Sequence, residues 1–308
     1  MIEISNQLWQ KLEQCLDLYI EKERRICNKI DWAHCLSAQF YQEPSQNTPV
    51  FFPVEMDNHF LVEDFIGFEA QKQAVLENIR FFLSGLPYQH ILLWGAKGVG
   101  KSSLVKSLLP EFYQQKLRLV QVDENALSGL RFLFERLKKE PYFFVICFDD
   151  LSFSREENRA RLFKSVLEGS VGSVPDNLLL IATSNRRHLL PELKSDNEGV
   201  VIEDHHLHYS DTVNEMISLS DRFGLWISFY SIDQAVYLEI AEHWVKKLAD
   251  LILVKKQCVL SVDEKAKLWD EEAQKEALAF TLLRGHRSGR SAAQFAHLWV
   301  SRFFFTKK

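Results

Sequence analysis

A glycine-rich stretch in the first half of the chain carries the residue types that bind phosphate. Residues 95–102 read G-A-K-G-V-G-K-S and fill every fixed position of the motif G-x-x-x-x-G-K-[ST]. Such a loop points its backbone N–H groups inward around phosphate oxygens, and the helix behind it adds the positive end of its dipole. We expect Lys101 to reach the β- and γ-phosphates of a nucleoside triphosphate and the Ser102 hydroxyl to ligate Mg²⁺. The residues predicted to hold the nucleotide in this loop are Gly95, Ala96, Lys97, Gly98, Val99, Gly100, Lys101, Ser102 and Ser103.

Two acids further along the chain complete a possible metal site. The apolar run of residues 145–148 leads directly into Asp149 and Asp150, and ligands of open parallel sheets bind outside the carboxyl ends of the strands. Asp149 is predicted to hold Mg²⁺ through water, and Asp150 to orient or deprotonate the attacking water. Taken alone, a buried strand that ends in a solvated acidic turn explains these residues equally well. The phosphate loop upstream favours the nucleotide interpretation.

Three polar side chains stand where they could act on the γ-phosphate. Asn185 follows an apolar run and could contact the γ-phosphate or the lytic water, although asparagine also favours turns. Arg222 could enter a neighbouring subunit's site and offset phosphate charge, or it could pair with Asp221 on the surface. Arg290 opens the last predicted helix and could fold over the nucleotide of its own chain. Arg284 and Arg287 are alternatives for that role.

The elements that must position these residues alternate along the chain. Apolar runs predict strands at residues 90–94, 117–122, 143–148, 178–182 and 225–229, with helical segments between them, including one at residues 70–83. Continuous apolar strands separated by helices indicate a parallel sheet that is covered on both faces. After residue 230 the pattern is helical throughout, with capping-box starts predicted at Ser231 and Ser261.

The N-terminal part has a different character. Residues 1–40 place apolar side chains at three- and four-residue spacings, as in an amphipathic helix, and residues 43–60 carry three prolines and are predicted to be a linker. The sequence therefore predicts three parts. They are an N-terminal helical extension with its linker (1–60), an α/β nucleotide-binding domain (61–230) and a helical lid (231–308).

Composition narrows the class of protein. With 46% hydrophobic and 26% charged residues, the 308-residue chain is typical of a soluble globular protein, and its net charge of −5 gives no general attraction to nucleic acid. Five cysteines without a C-x-x-C pair indicate reduced thiols. We see no signal peptide and no stretch of about 20 apolar residues, so a cytoplasmic protein without a membrane partner is expected.

The ordered set of motifs resembles the AAA+ ATPases over residues 61–305. The stretches at residues 182–191 and 218–225 are similar to an uncharacterised bacterial AAA+ family known as a domain of unknown function. The resemblance implies a P-loop fold with a five-stranded parallel sheet, binding of ATP with Mg²⁺, and an adenine pocket lined by Ile66 and Gly67. It also implies that Asn185 is sensor 1, Arg222 the arginine finger and Arg290 sensor 2.

The predicted function is an oligomeric ATPase that remodels or loads a macromolecular partner, with Arg222 acting in trans. The catalytic set would be Lys101, Asp149, Asp150, Asn185, Arg222 and Arg290. A protein partner is favoured over nucleic acid by the acidic net charge. Many AAA+ proteins have glutamate at the position of Asp150, and because aspartate is one methylene shorter we expect slow turnover. A nucleotide-gated binding platform with little turnover is the alternative.

Overall fold

The computed structural model describes residues 30–42, 49–55, 60–151, 163–164, 174–185, 201–203, 206–208 and 221–305. In chain order the strands are β1 (Ser37–Gln42), β2 (Pro49–Pro53), β3 (Ile91–Gly95), β4 (Leu117–Val122), β5 (Phe143–Phe148), β6 (Leu178–Ser184), β7 (Val201–Glu203), β8 (His206–His208) and β9 (Leu225–Phe229). The α-helices are α1 (Glu69–Leu83), α2 (Lys101–Phe112), α3 (Leu130–Leu137), α4 (Gln234–Lys256), α5 (Val262–Leu268), α6 (Glu271–Arg284) and α7 (Gly289–Phe305). Short 3₁₀ helices occupy Val62–Asp64, Tyr113–Gln115 and Glu124–Gly129.

In the part of the chain that the structure describes, seven strands form the main sheet, in the order β2-β1-β4-β5-β6-β3-β9. All neighbours pair in parallel except β2 and β1, which are antiparallel. The five predicted strands are β4, β5, β6, β3 and β9, and they form the contiguous parallel part of the sheet. The predicted α/β fold with a helical lid is therefore confirmed. The strand count differs, because two further strands extend one edge.

The prediction of a linker at residues 43–60 is wrong for residues 49–53, which form β2. Proline is tolerated on an edge strand because its missing N–H is not needed by a neighbour, and Pro49 and Pro53 bound β2 at the sheet edge. Phe51 anchors the strand: it is 4% exposed, with its ring 5.2 Å from that of Phe40 in β1. The end of the predicted helical extension is likewise strand β1. The rest of that extension, residues 1–29, lies outside the described part of the chain, and the three-part division stays a prediction.

Both faces of the sheet are buried. One cluster of buried apolar side chains joins one face to α1, α2 and the helices α4–α7. A second cluster joins the opposite face to α3 and to the strands β1 and β2. The lid helices share the first cluster with the sheet. The lid therefore packs on the same face of the sheet as α1 and α2.

The N-terminal caps of two lid helices test the capping boxes predicted at Ser231 and Ser261. Ser261 and Glu264 form the predicted capping box at the start of α5. The predicted box at Ser231 is wrong, because α4 is capped by Asp233, whose carboxylate accepts the N–H of Val236 at 2.9 Å. A carboxylate at the N-cap satisfies one of the free N–H groups of the first turn equally well. Among the helices that the structure describes, none has the length and apolar character needed to cross a membrane.

Candidate nucleotide-binding site

The phosphate loop connects β3 to α2 at the carboxyl edge of the sheet. Gly95, Gly98 and Gly100 have φ values of 125°, 75° and 104°, in the left-handed region that favours glycine. The steric requirement for glycine is strongest at Gly95, where an added Cβ would lie 2.0 Å from the carbonyl oxygen of Phe229 in β9. The loop backbone is thus fixed by glycines at the positions where the sequence motif requires them.

Lys101 is held across this loop. Its Nζ donates to the carbonyl oxygens of Gly95 at 2.8 Å and Ala96 at 2.7 Å, and to the side-chain oxygen of Asn185 at 3.2 Å. The residue is 6% exposed, and this burial lowers the pKa of its ammonium to about 8, with Asp150 and Asp149 opposing part of the effect. The three acceptors do not fully replace the water that the charged ammonium loses on burial, so an anion that binds beside it would stabilise its charge.

The two residues predicted to hold the metal ion are brought together. The Ser102 hydroxyl donates to Asp149 Oδ1 at 2.5 Å, and the hydroxyl of Thr183 at the end of β6 donates to the same oxygen at 2.7 Å. Hydroxyl and carboxylate oxygens are hard ligands of the kind that Mg²⁺ prefers, usually together with water and phosphate oxygens. The side chains present here therefore fit a magnesium ion.

Asp150 and Asn185 are also in contact. Asp150 has a left-handed φ of 53°, and its N–H donates to the Thr183 hydroxyl at 2.9 Å. The Asn185 side-chain amide donates to the Asp150 carboxylate while its oxygen accepts from Lys101. Asn185 thus connects Asp150, the predicted water-orienting acid, to Lys101, the predicted phosphate-binding lysine.

A cavity of 470 Å³ lies between the sheet edge and the lid. Its phosphate end is lined by the loop from Lys97 to Ser103 and by Asp149, Asp150, Thr183 and Asn185. Its other end is largely apolar, lined by Phe60, Asp64, Phe65, Ile66, Ile240 and Trp244. Helix α7 of the lid closes the cavity with Gly289, Arg290 and Ala293.

The structure distinguishes between the three lid arginines that are candidates for contact with the nucleotide, Arg284, Arg287 and Arg290. Arg290 lines the cavity, and its backbone N–H donates to the carbonyl of Gly98 in the phosphate loop at 3.2 Å. Arg284 instead donates to Gln294 at 3.0 Å and lies over the ring of Phe280. Neither Arg284 nor Arg287 lines the cavity in the described part of the chain. Only Arg290 of the three is therefore placed to meet a bound nucleotide.

Three residues predicted to bind nucleotide stand beside the cavity instead of lining it. Gly95 and Ala96 present their carbonyls to Lys101, as described above. Gly67 has a φ of 90° and faces Val236 of α4, whose methyl group would lie 2.3 Å from an added Cβ. Gly67 therefore permits close packing of the lid on the stretch predicted to line the adenine pocket, whereas its neighbour Ile66 lines the cavity.

Arg222 lies at the opposite edge of the sheet. It is exposed and precedes β9, whose first residue, Leu225, pairs with Ile91 at the start of β3, whereas Gly95 pairs with Phe229 at its end. The length of β3 separates the two edges, about 13 Å at 3.3 Å per residue. This placement keeps Arg222 away from the phosphate loop of its own chain.

The sequence alone does not reveal the wall at the apolar end of the cavity or one hydroxyl at its phosphate end. Phe60 ends the stretch predicted to be a linker, and Ile240 and Trp244 have the helical spacing of ordinary core residues. Thr183 directly follows the apolar run of β6, and that position was the available signal for its contact with Asp149.

The fold and the site together define a P-loop protein of the AAA+ class, with a glycine-rich phosphate loop, an acidic strand end and a helical lid that carries an arginine. Residues 34–303 match the family described as "Protein of unknown function (DUF815)". The chain belongs to this family.

Other similarities are more distant. A stretch of 60 residues, 19% of this chain, is 42% identical to the replication factor C large subunit of Ignicoccus hospitalis, of which it spans 13%. A single-substitution variant of RuvB from Thermotoga maritima is 14% identical over 78% of this chain and 72% of its own, with a TM-score of 0.41. The T. maritima RuvB Holliday junction branch migration motor has the same identity and coverage, with a TM-score of 0.39.

Proposed function

We propose that this protein binds ATP with Mg²⁺ and hydrolyses it, and that it works as an oligomer that remodels or loads a macromolecular partner. One observation carries the proposal. Lys101, Ser102, Asp149, Asp150 and Asn185 are joined through Thr183 into one hydrogen-bonded set at the carboxyl edge of the sheet, and Arg290 faces the same cavity from the lid. The acidic net charge of −5 favours a protein partner over nucleic acid.

Each residue of this set has a distinct part in the proposed reaction. Phosphoryl transfer to water depends mainly on positioning and on stabilising charge at the γ-phosphate. Lys101 and Arg290 offset that charge from opposite walls of the cavity. Asp150 orients the attacking water and accepts its proton, for which its carboxylate must be shared with, or released by, the amide of Asn185. Mg²⁺, held by Ser102 and Asp149, would neutralise charge on the β- and γ-phosphate oxygens.

The direct test uses the wild-type protein. Calorimetric titration with ATP in the presence of Mg²⁺ is expected to show saturable binding, and a phosphate-release assay is expected to show turnover that chelation of Mg²⁺ abolishes. A protein that gives no binding heat with ATP and Mg²⁺ and releases no phosphate would remove the proposal.

A second candidate function is a nucleotide-gated binding platform with little turnover. It is favoured by the contact between Asn185 and Asp150, because a carboxylate that is already engaged is less available to water. Single-turnover measurements separate the two candidates. Rapid phosphate release after rapid mixing with ATP supports the ATPase, whereas stable bound ATP over many minutes supports the platform.

Asp150→Asn is expected to lower the turnover number about 100-fold or more and to leave ATP affinity within a few-fold, because only the group that acts on water is lost. Steady-state phosphate release and calorimetry measure the two quantities. Asp250→Asn, an exposed acid on α4, is the matched control and should behave as the wild type. Turnover that is unchanged in Asp150→Asn would exclude the role assigned to this carboxylate. The ATP-bound variant should also retain its partner in a pulldown.

ATP binding near pH 9 is expected to be accompanied by uptake of nearly one proton. Burial lowers the Lys101 pKa to about 8, so at pH 9 the Lys101 side chain of the nucleotide-free protein is mostly deprotonated. The negative phosphates of bound ATP favour the charged lysine. Calorimetry in two buffers with different ionisation enthalpies measures the uptake. At pH 7 Lys101 is already mostly protonated, so its contribution should fall to about a tenth of a proton. Equal binding enthalpies in both buffers at pH 9 would contradict this expectation.

A further inference from the structure

A buried carboxylate stands at the apolar end of the cavity, away from the phosphate loop. The Asp64 side chain is 4% exposed. It accepts hydrogen bonds from the backbone N–H of Leu61 at 2.6 Å, His243 Nε2 at 2.7 Å and Lys247 Nζ at 2.5 Å. Burial alone would raise the pKa of Asp64, but the hydrogen bonds from Lys247, Leu61 and His243 lower it below its ordinary value. The Asp64 carboxylate is therefore ionised, and its hydrogen-bonding capacity is met by donors of the same chain.

Two of these three donors belong to the lid. His243 and Lys247 are four residues apart on α4 and so share one face of that helix. Asp64 belongs to the 3₁₀ helix that precedes the adenine-pocket stretch. The carbonyl of the next residue, Phe65, accepts a hydrogen bond from buried Lys72 of α1 at 3.0 Å. The short stretch from Asp64 to Phe65 is thus tied to the α/β domain on one side and to the lid on the other.

The same face of α4 presents an aromatic ring to the cavity. Trp244 lies between His243 and Lys247, and the Lys247 ammonium stands 5.4 Å from the centre of its ring. Beside it in the same wall of the cavity, the ring of Phe60 stacks on Trp244 with centroids 5.9 Å apart and planes 29° apart. Both rings line the cavity, together with Ile66 and Ile240. Flat aromatic faces of this kind stack on nucleobases of any identity.

We propose that Asp64 is a positioning residue for the nucleobase: through His243 and Lys247 it sets α4 so that Trp244 and Phe60 form the stacking wall for the base. The proposal rests on the proposed nucleotide-binding function and adds to it the residues that hold the base. Removing one partner of a buried ion pair leaves the other uncompensated. Loss of Asp64 would therefore shift this part of α4 and carry Trp244 away from the base, while the phosphate loop keeps its own contacts.

Two ligands separate the contributions that the two ends of the cavity make to binding affinity. Calorimetry with ATP reports both ends, whereas inorganic tripolyphosphate, also with Mg²⁺, reports the phosphate end alone. Asp64→Asn is expected to weaken ATP binding about tenfold and to change tripolyphosphate binding by less than about twofold. Trp244→Ala should give the same pattern. The double variant should lose no more than either single variant, because Asp64 acts through Trp244.

Two further variants complete the experiment. Lys247→Met keeps the aliphatic stem but removes the ammonium, and it provides the same test if Asp64→Asn does not fold. Lys246→Met is the control, since Lys246 is 62% exposed and pairs with Glu242 on the outer face of α4; both affinities should stay at the wild-type values. ATP and tripolyphosphate affinities that fall together, or an ATP affinity that does not change, would overturn the proposal. Wild-type protein that binds tripolyphosphate as tightly as ATP would also overturn it, whereas wild-type protein that binds neither ligand would remove the proposed function itself.

Discussion

Lys101→Ala is expected to weaken ATP binding by about 100-fold or more and to abolish measurable phosphate release. Truncating one partner of a buried, charge-assisted contact costs about 2–5 kcal/mol, and about 1.4 kcal/mol corresponds to a factor of ten in affinity. Lys101 is the buried cation of the phosphate loop, with its ammonium held at the carbonyls of Gly95 and Ala96. Calorimetry with ATP and Mg²⁺, together with a phosphate-release assay, measures both effects.

The control for this variant is Lys106→Ala. Lys106 lies on the same helix, α2, but is exposed and outside the cavity lining, so its loss should leave both binding and turnover unchanged. Thermal unfolding of both variants shows whether the fold is intact. Normal ATP affinity in a folded Lys101→Ala protein would mean that the cavity binds its ligand by some means other than the phosphate loop.

The central part of the fold could be predicted because its strands are continuous apolar runs. Burial on both faces of a parallel sheet demands such runs, and the observed bounds of β5 and β9 coincide with the predicted ones. The strands β1 and β2 lack this signature. Residues 37–42 contain serine and two glutamines, and β2 is bounded by prolines, which in isolation are typical of a linker. Only the pairing of these two strands with each other and with β4 shows their conformation.

The two ends of the cavity differ in how much the sequence reveals. At the phosphate end, the chemistry demands glycine, lysine, serine and aspartate at fixed spacings, so local sequence patterns are sufficient to predict the residues of this end. The apolar end is assembled from Phe60, Asp64 and Trp244, which are up to 184 residues apart in the chain and include residue types common in any core. Their relation depends on how the lid packs against the α/β domain, which no local pattern encodes.

Arg222→Ala is expected to lower the turnover number about 1,000-fold or more while leaving ATP binding to each subunit nearly unchanged. An arginine supplied to the γ-phosphate in the transition state contributes about 10³–10⁵ to the rate. In this protein Arg222 is exposed at the amino edge of the sheet, whereas the phosphate loop lies at the carboxyl edge. The proposed role of Arg222 therefore requires the site of another subunit, in a head-to-tail contact of the kind that builds rings.

Mixing two inactive variants tests this arrangement directly. Lys101→Ala subunits lack a working phosphate loop but keep Arg222, and Arg222→Ala subunits have the opposite defect. In a 1:1 random mixture, about a quarter of the contacts should join an intact phosphate loop to an intact arginine, so about a quarter of the wild-type activity should return. Arg131→Ala, an exposed arginine on α3, is the control and should be fully active alone. A mixture that stays inactive although the subunits co-assemble, or full activity of Arg222→Ala alone, would exclude action in trans. Recovered activity would require that the arginine at one sheet edge completes the cavity at the opposite edge of its neighbour.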